Sequence, residues 1–405
     1  MMNFFQSNSL DGLKGVARKK YRTKQRIIKC LLLHGESTCN WIAQNISLSV
    51  PSVQANMNEL IKDGFIEEKG QGFSTGGRRP NIYGLKRNSF YILCIDVGRF
   101  EVRLAMVDSQ MNIVIGIVSH EIKFQDDFSY LEEVCKLTDN FIDTSSIKKE
   151  KVIGIGLDMP GLIDSKKGVN LSYFYNPEEV LAVHLQKRFN LPVFLENDSN
   201  SLALAERWYG EVRDKENAIV LLLSWGIGMG LIINGELYVG ASGFAGEFSH
   251  IPSVENGNLC WCNKQGCLET VASATALSNL VKEGVRSGLA SSIFKSVNGN
   301  EDHIDPGIVI DAAHQGDQFA IKILSDVGYE LGKGIATLIQ VLNPEIIVLG
   351  GRMARARQFL ITPIQHALHT HCNPILINNL NIRTTNFGNE AAILGSAILV
   401  ADRLL

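Results

Sequence analysis

A chain of 405 residues is long for one hydrophobic core, so two or three domains are expected. With 45% hydrophobic and 20% charged residues, its composition is that of an ordinary soluble globular protein and excludes a disordered or fibrous chain. No apolar run reaches the roughly 18 residues of a membrane span, and the N-terminus lacks the apolar core of a secretory signal. Eight cysteines, three of them in a metal-like cluster, argue for a reducing cytoplasm rather than a disulfide framework.

The net charge of −3 hides an asymmetry. Through Arg87 there are fourteen Lys and Arg against six Asp and Glu, a balance of +8, so the remainder carries −11. A basic first fifth on an acidic body predicts an anionic partner for the first part alone.

Residues 1–20 read as disordered and end in the basic run Arg18, Lys19, Lys20, Arg22, Lys24, Arg26. A helix is expected from about Thr23 to His34, with Ile27, Ile28, Leu31 and Leu32 on one face, stopped by Gly35. Thr38 would cap a short helix through Asn45, with Trp41 and Ile42 inward. Ser49 would cap a third helix with Pro51 in its first turn. That helix would bury Val53, Met57, Leu60 and Ile61. It would present Ser52, Gln54, Ala55, Asn56 and Asn58, small and amide side chains suited to base edges and phosphates in a major groove. A strand over Phe65–Lys69, a loop ending in Gly76, Gly77, Arg78, Arg79 and Pro80, and a return strand through Leu85 complete a winged helix-turn-helix. Candidate DNA contacts are Ser49, Ser52, Gln54, Asn56, Gly76, Gly77, Arg78 and Arg79. The bland alternative is a small helical interaction domain with a solvated basic face.

From about residue 89 strands and helices alternate. Strands are expected at Tyr91–Val97, Val102–Val107, Ile113–Val118, Val152–Leu157, Val193–Leu195, Ala218–Leu223 and Ile346–Leu349. Helices are expected at Phe128–Thr144, Leu268–Glu283, Gln318–Leu342, Ala354–His371 and Ala391–Leu404. Asn234-Gly235 is a two-residue hairpin signal. A strand–turn–strand–turn–strand plan starts at Tyr91 and again near Ala218. The expected domains are therefore 1–88 and 89–405.

The most legible chemistry lies between Gly243 and Glu269. Cys260, Cys262 and Cys267 have C-x-C-x4-C spacing, with His250 ten residues before the first. Three thiolates and an imidazole complete a tetrahedral set for one structural Zn2+ per chain, with no open position for catalysis. Gly266 gives room for a tight turn before the third thiolate. The metal would pin a long connection and place Glu247 and Glu269 on either side of it. The alternative is a set of free cysteines in a reducing compartment.

This block, E-x-x-H followed by C-x-C-x4-C-x-E, resembles the ROK family of repressors, open reading frames and sugar kinases. The family has Gly directly after the second Cys, where this chain has Asn263. The resemblance covers essentially everything from residue 90 onward, and the T-G-G-R-R-P wing resembles the N-terminal reader of ROK-type repressors. It implies an α/β architecture: a winged helix-turn-helix followed by a two-lobed, actin-like ATPase body.

The resemblance also implies site residues. Asp158–Asp164, with Pro160 and Gly161, looks like the loop lining the family's sugar cleft. Glu196-Asn197-Asp198-Ser199-Asn200 is similar to the family's E-N-D-A-N, whose aspartate, at Asp198, is the kinases' general base. Asn197 and Asp198 can also simply hold adjacent hydroxyls, and Asp198 can cap a helix. Glu247, His250 and Glu269 carry over as sugar contacts. The phosphate side departs. Where the kinases have D-x-G-G-T-K, this chain has Asp96-Val97-Gly98-Arg99-Phe100-Glu101. Where they have G-T-G-x-G, it has Ser224-Trp225-Gly226-Ile227-Gly228. The segment Pro344–Gly351 on the adenosine side is kept.

These features together predict a cytoplasmic bacterial repressor, nucleoid-associated when bound. Its partners would be double-stranded operator DNA and a sugar or sugar phosphate, and it would act as a homodimer or homotetramer with no membrane partner. Asp198 would be a vestigial base. The alternatives are an active ATP-dependent sugar kinase with an appended DNA-binding domain, and a scaffold answering to another protein.

Overall fold

The structure, a computed structural model, describes residues 14–72, 79–298 and 300–405. Its contacts divide the chain into two units, Met1–Asn197 with Ala392–Leu405, and Asp198–Ala391.

The first unit opens with helices α1 (Gly15–His34), α2 (Cys39–Asn45) and α3 (Val50–Lys62) and strands β1 (Ser37–Thr38), β2 (Ile66–Gln71) and β3 (Asn81–Leu85). The strands form one antiparallel sheet in the order β1-β3-β2. Ile27, Ile28, Leu31 and Leu32 of α1 are buried, as are Val53, Met57 and Leu60 of α3. Thr38 caps α2 by accepting the Trp41 amide at 3.3 Å.

Several expectations need correction here. α1 begins at Gly15, so residues 15–20 are helical. Tyr21 is buried, and Lys20 and Lys24 pair with Glu59 and Asp63 of α3, so tertiary partners carry the helix into the basic run. Trp41 points outward and packs edge-on against His34, with ring centroids 5.3 Å apart. Ile61 is exposed. Ser49 occupies the cap position of α3, but its side chain makes no cap hydrogen bond.

Two five-stranded sheets follow. The first comprises β4 (Tyr91–Val97), β5 (Glu101–Asp108), β6 (Ile113–Glu121), β7 (Val152–Met159) and β10 (Val193–Asn197), in the order β10-β7-β4-β5-β6. A small hairpin, β8 (Ile163–Asp164) and β9 (Val169–Asn170), stands apart from it. The second comprises β11 (Ala218–Leu223), β12 (Ile227–Ile233), β13 (Glu236–Leu237), β14 (Ile346–Gly350) and β15 (Asn381–Thr384), in the order β13-β12-β11-β14-β15. Each sheet places its strands third, second, first, fourth, fifth. The first three are joined antiparallel, and the fourth and fifth are added parallel. The repeated plan read from the sequence is thus a repeated topology. Every residue of β4, β7 and β14 is buried, as expected for strands covered on both faces.

Because β4, β7 and β10 are parallel, their C-terminal ends share one edge. That edge is where open α/β sheets bind ligands. The turn after Val97, the loop Pro160–Gly161 and Asn197 all emerge there. The last helix, α4 (Glu390–Leu404), packs on this sheet so closely that a Cβ on Gly156 would lie 2.3 Å from the Ser396 carbonyl. The same helix holds the head: Gln25 donates to the Leu404 carbonyl at 2.8 Å, and Lys29 pairs with Asp402 at 2.8 Å. The linker is also tied down, with Arg87 pairing with Asp108 and Gln110 donating to the Leu85 carbonyl.

In the second unit Asn234 and Gly235 both take positive φ (53° and 76°), the twist that a tight two-residue hairpin needs. Gln318–Leu342 is one helix, as expected. Leu268–Glu283 is not. It breaks at Ser273, whose hydroxyl caps the helix Ala274–Arg286, while the Ala274 and Thr275 amides donate to Ser224 and Trp225. Ala354–His371 likewise splits at Arg357, which sits at φ 46°.

Candidate functional site

The metal set assembles as its spacing predicts. The ligand atoms of His250, Cys260, Cys262 and Cys267 all lie within 4.8 Å of one another. Cys262 and Cys267 sulfurs are 3.6 Å apart, as are Cys260 Sγ and His250 Nδ1. A tetrahedral ion with bonds of about 2.3 Å to sulfur needs edges close to this length, so the donors fit a closed four-coordinate site. His250 ends a short 3-10 turn (Phe248–His250), and the cysteines ride on a tight loop in which Cys260 N–H donates to the Lys264 carbonyl at 2.8 Å. Gly266 is required, since a Cβ there would sit 1.9 Å from the Val254 carbonyl. Asn263 takes φ 65°, the left-handed conformation that glycine adopts freely and Asn tolerates, so the departure from the family pattern preserves the turn. Burial, then the neighbouring thiols, pushes the Cys267 thiol up, and a cation bound by the set would favour its thiolate.

Carboxylates flank this knuckle. Glu247 Oε2 lies 3.7 Å from His250 Nε2, the ring nitrogen opposite the one facing Cys260. Gly246 places it: at φ 102°, a Cβ there would lie 2.2 Å from the Met229 carbonyl on β12. Burial, then the charge of Glu269, holds the Glu247 carboxyl above the usual carboxylate range. Glu269 accepts the Trp261 indole N–H at 2.5 Å and faces the Ile227 amide at 3.4 Å. Asp198 opens helix Asp198–Tyr209 and accepts the Ser199 amide at 2.8 Å.

In the first unit, Asn197 Nδ2 donates to the Gly161 carbonyl at 3.1 Å, joining two of the expected sugar residues. Gly161 sits at φ 111° beside Asn170. Asn170 had no sequence signal, yet it clamps this loop: it donates to the Pro160 carbonyl and accepts the Ser172 and Tyr173 amides.

The head presents Ser49, Ser52, Ala55 and Asn58 as an exposed stripe on α3, with Gln54 half-buried and bonded to Asn58 at 3.0 Å. Asn56 contradicts the expectation. It is buried, and its amide donates to the Ser52 carbonyl at 2.8 Å, so it does not face the groove side. Its spacing from Val53 and Leu60 (i+3, i−4) already marks it as an inward position. Arg79 is exposed, whereas Gly76, Gly77 and Arg78 lie outside the described residues. Among the described residues, no helix is long and apolar enough to cross a membrane.

Comparison with known proteins gives two family matches: the ROK family over residues 92–403, and a winged helix-turn-helix DNA-binding family over residues 22–67. The chain belongs to the ROK family. A putative xylose repressor of Caldicellulosiruptor sp. strain Rt8B.4 is 29% identical over 397 residues, covering 95% of this chain and 97% of that protein. A glucokinase of Thermotoga maritima is 32% identical over 274 residues, covering 66% of this chain and 85% of the kinase. Among solved structures, a ROK-family transcriptional regulator, a homologue of the Escherichia coli MLC protein, superposes with TM-score 0.80 at 25% identity. It covers 95% of this chain and 96% of its own. The α/β class, the winged reader and the actin-like body are those of ROK regulators.

The turns that the resemblance sets beside the kinases' phosphate loops carry contacts among this chain's own side chains. In the first, Asp96 is buried in an ion pair with Arg103. Glu101 accepts the Ser119 hydroxyl at 2.7 Å, and the Arg99 guanidinium lies 5.4 Å from the Phe100 ring centre. In the second, the Arg352 guanidinium stands 6.0 Å from the Trp225 ring, and the Trp225 carbonyl accepts the Thr275 hydroxyl at 2.7 Å.

Proposed function

We propose that this ROK protein is a sugar-responsive transcriptional repressor whose body senses a sugar without phosphorylating it. The carrying observation is a contrast of chemistry. Carboxylates suited to hydroxyls stand beside the His/Cys knuckle, while the turns that the resemblance sets beside the kinases' phosphate loops carry Arg, Phe, Glu and Trp. Phosphoryl transfer depends mainly on positioning and charge stabilisation around the phosphate and its metal, so a surviving Asp198 cannot supply it alone.

In this reading Asn197, Asp198, Glu247, His250 and Glu269 bind hydroxyls, and the Pro160–Gly161 turn supplies backbone groups. The ion on His250, Cys260, Cys262 and Cys267 is zinc, one per chain. It holds the knuckle, and its imidazole ligand keeps Nε2 free to face Glu247 and the sugar. Ser49, Ser52 and Gln54 read the operator, and Arg79, with its neighbours Gly76, Gly77 and Arg78, adds salt-dependent affinity for phosphates. The domains are a reader over 1–88 and a sensor over 89–405, working as a cytoplasmic homodimer or homotetramer. Sugar and operator each weaken binding of the other. The contacts of Gln25 and Lys29 with the last helix are the route by which the first sheet bears on the reader.

The test incubates purified protein with operator DNA and D-xylose, D-glucose or N-acetyl-D-glucosamine, with and without Mg2+ and ATP. Release by one sugar without ATP is expected. Sugar phosphate formed at about 1 s⁻¹ or faster, and lost in Asp198→Asn, would establish the kinase instead.

A further inference from the structure

We propose that Trp261 is a displaceable gate on Glu269 and selects ligands by the hydroxyl they present there. This rests on the sugar-binding reading above. Trp261 lies between Cys260 and Cys262, so its backbone is held on both sides by the metal knuckle. The side chain is 61% exposed, high for so large an aromatic. Its polar tip is nevertheless engaged: Nε1 lies 2.5 Å from Glu269 Oε1, and the ring stands edge-on to His250 with centroids 4.9 Å apart. The other oxygen of Glu269 faces the Ile227 amide at 3.4 Å. Glu269 therefore carries a protein donor on each oxygen, one from fixed backbone and one from a side chain able to leave.

The chemistry of the exchange favours a sugar. Indole N–H is a donor without acceptor capacity, and a sugar hydroxyl donates to a carboxylate in the same direction. An O–H to O⁻ bond is charge-assisted, as is the N–H bond it replaces, so the carboxylate keeps a strong partner through the exchange. The ring is already mostly in water, so swinging it away uncovers little apolar surface. With the backbone pinned, the motion is confined to the side-chain torsions, and a rotamer change of an exposed side chain is fast. Glu247 is a second carboxylate beside the same imidazole, its Oε2 3.7 Å from His250 Nε2. A ligand with a hydroxyl at the right position opens the gate. One lacking that donor leaves Glu269 bound to Trp261 and loses the contact, which is how a site built to bond a hydroxyl discriminates.

The test uses the full-length, metal-loaded protein and two readouts. Without sugar, the Trp261 indole N–H resonance, identified by its loss in Trp261→Phe, should sit at the shift of a carboxylate-bonded proton and move when Glu269 is replaced by Ala. On titration with D-xylose, D-glucose and N-acetyl-D-glucosamine, that resonance should shift with the sugar that binds. Trp261→Phe should bind the same sugar about three- to tenfold more tightly, because the competing donor is gone. Weaker or unchanged binding by Trp261→Phe would overturn the gate, leaving a fixed orienting residue or a bystander. An indole resonance that ignores a bound sugar would overturn it as well. If the unmodified protein bound none of the three sugars, the sugar reading would fail and the gate with it. Sugar binding with a silent indole fails the gate alone.

Discussion

The β4–β5 and β11–β12 hairpins occupy the same place in two sheets of one topology, yet their turns are stabilised differently. The first is closed by charge. Buried Asp96 is paired with Arg103, Glu101 is tied to Ser119, and Gly98 N–H donates to the Glu101 carbonyl at 2.8 Å. The second is closed by its surroundings. Trp225 is held through Thr275 and faced by Arg352, and the Ile227 amide meets Glu269, one of the residues proposed to bind hydroxyls. A repeated backbone plan thus leaves its turns free to be refilled. The second turn is linked to the knuckle segment through Glu269.

Removing the metal should separate the two turns most sharply. Cys260→Ser should lower metal content from about one per chain toward none and cost well over tenfold in sugar affinity, by releasing Glu247 and Glu269. Hydrogen exchange should then rise at residues 224–229 and stay constant at 97–102. Equal loosening of both turns would show that the knuckle does not hold the second one specifically.

Arg103→Met is the converse. It leaves Asp96 buried and unpaired, a change that costs about 3–5 kcal/mol by the denaturant midpoint. Burial chiefly, and then the charge of Glu101, already holds Asp96 above its ordinary range despite Arg103. A carboxyl whose folded-state pKa is raised penalises the fold once it ionises. The Arg103→Met defect should therefore be full at neutral pH and shrink as pH falls through the folded-state value toward that of the unfolded carboxyl. A pH-independent defect would point to lost packing instead.

Asp198→Asn should raise the sugar concentration needed for operator release about tenfold, through loss of one charged hydroxyl acceptor. Phe100→Ala on the first hairpin should leave that concentration unchanged. If Phe100→Ala moved it as far, the phosphate side would be part of the sensor. Arg352→Ala should have the smallest effect, about 0.5–1 kcal/mol of stability, as for an exposed cation over an aromatic ring.

Much of the site was legible because its donors are close in sequence. His250 to Cys267 is one short segment, so ligand spacing alone specifies a tetrahedral set. Asn197-Asp198 marks a strand-to-helix junction and is found at one. The residues that occupy those groups were not legible. Arg103 on Asp96, Asn170 under Pro160 and Trp261 on Glu269 are pairings across turns and strands that no periodicity encodes.

By itself, the sequence determined the basic reader, the duplicated strand plan, the knuckle ligands and the long amphipathic helices, because each follows from local spacing or from 2.0 and 3.6 periodicity. The tertiary structure decided where those helices start and break. Lys20 and Lys24 find acids on α3, extending α1 back to Gly15. The carbonyls of Ser224 and Trp225 capture amides just after Ser273 and stop a helix that propensity would continue. It also turned Trp41 outward. At both helix ends the deciding energy is a contact between residues distant in sequence, and it outweighs local preferences of a few tenths of a kcal/mol per residue.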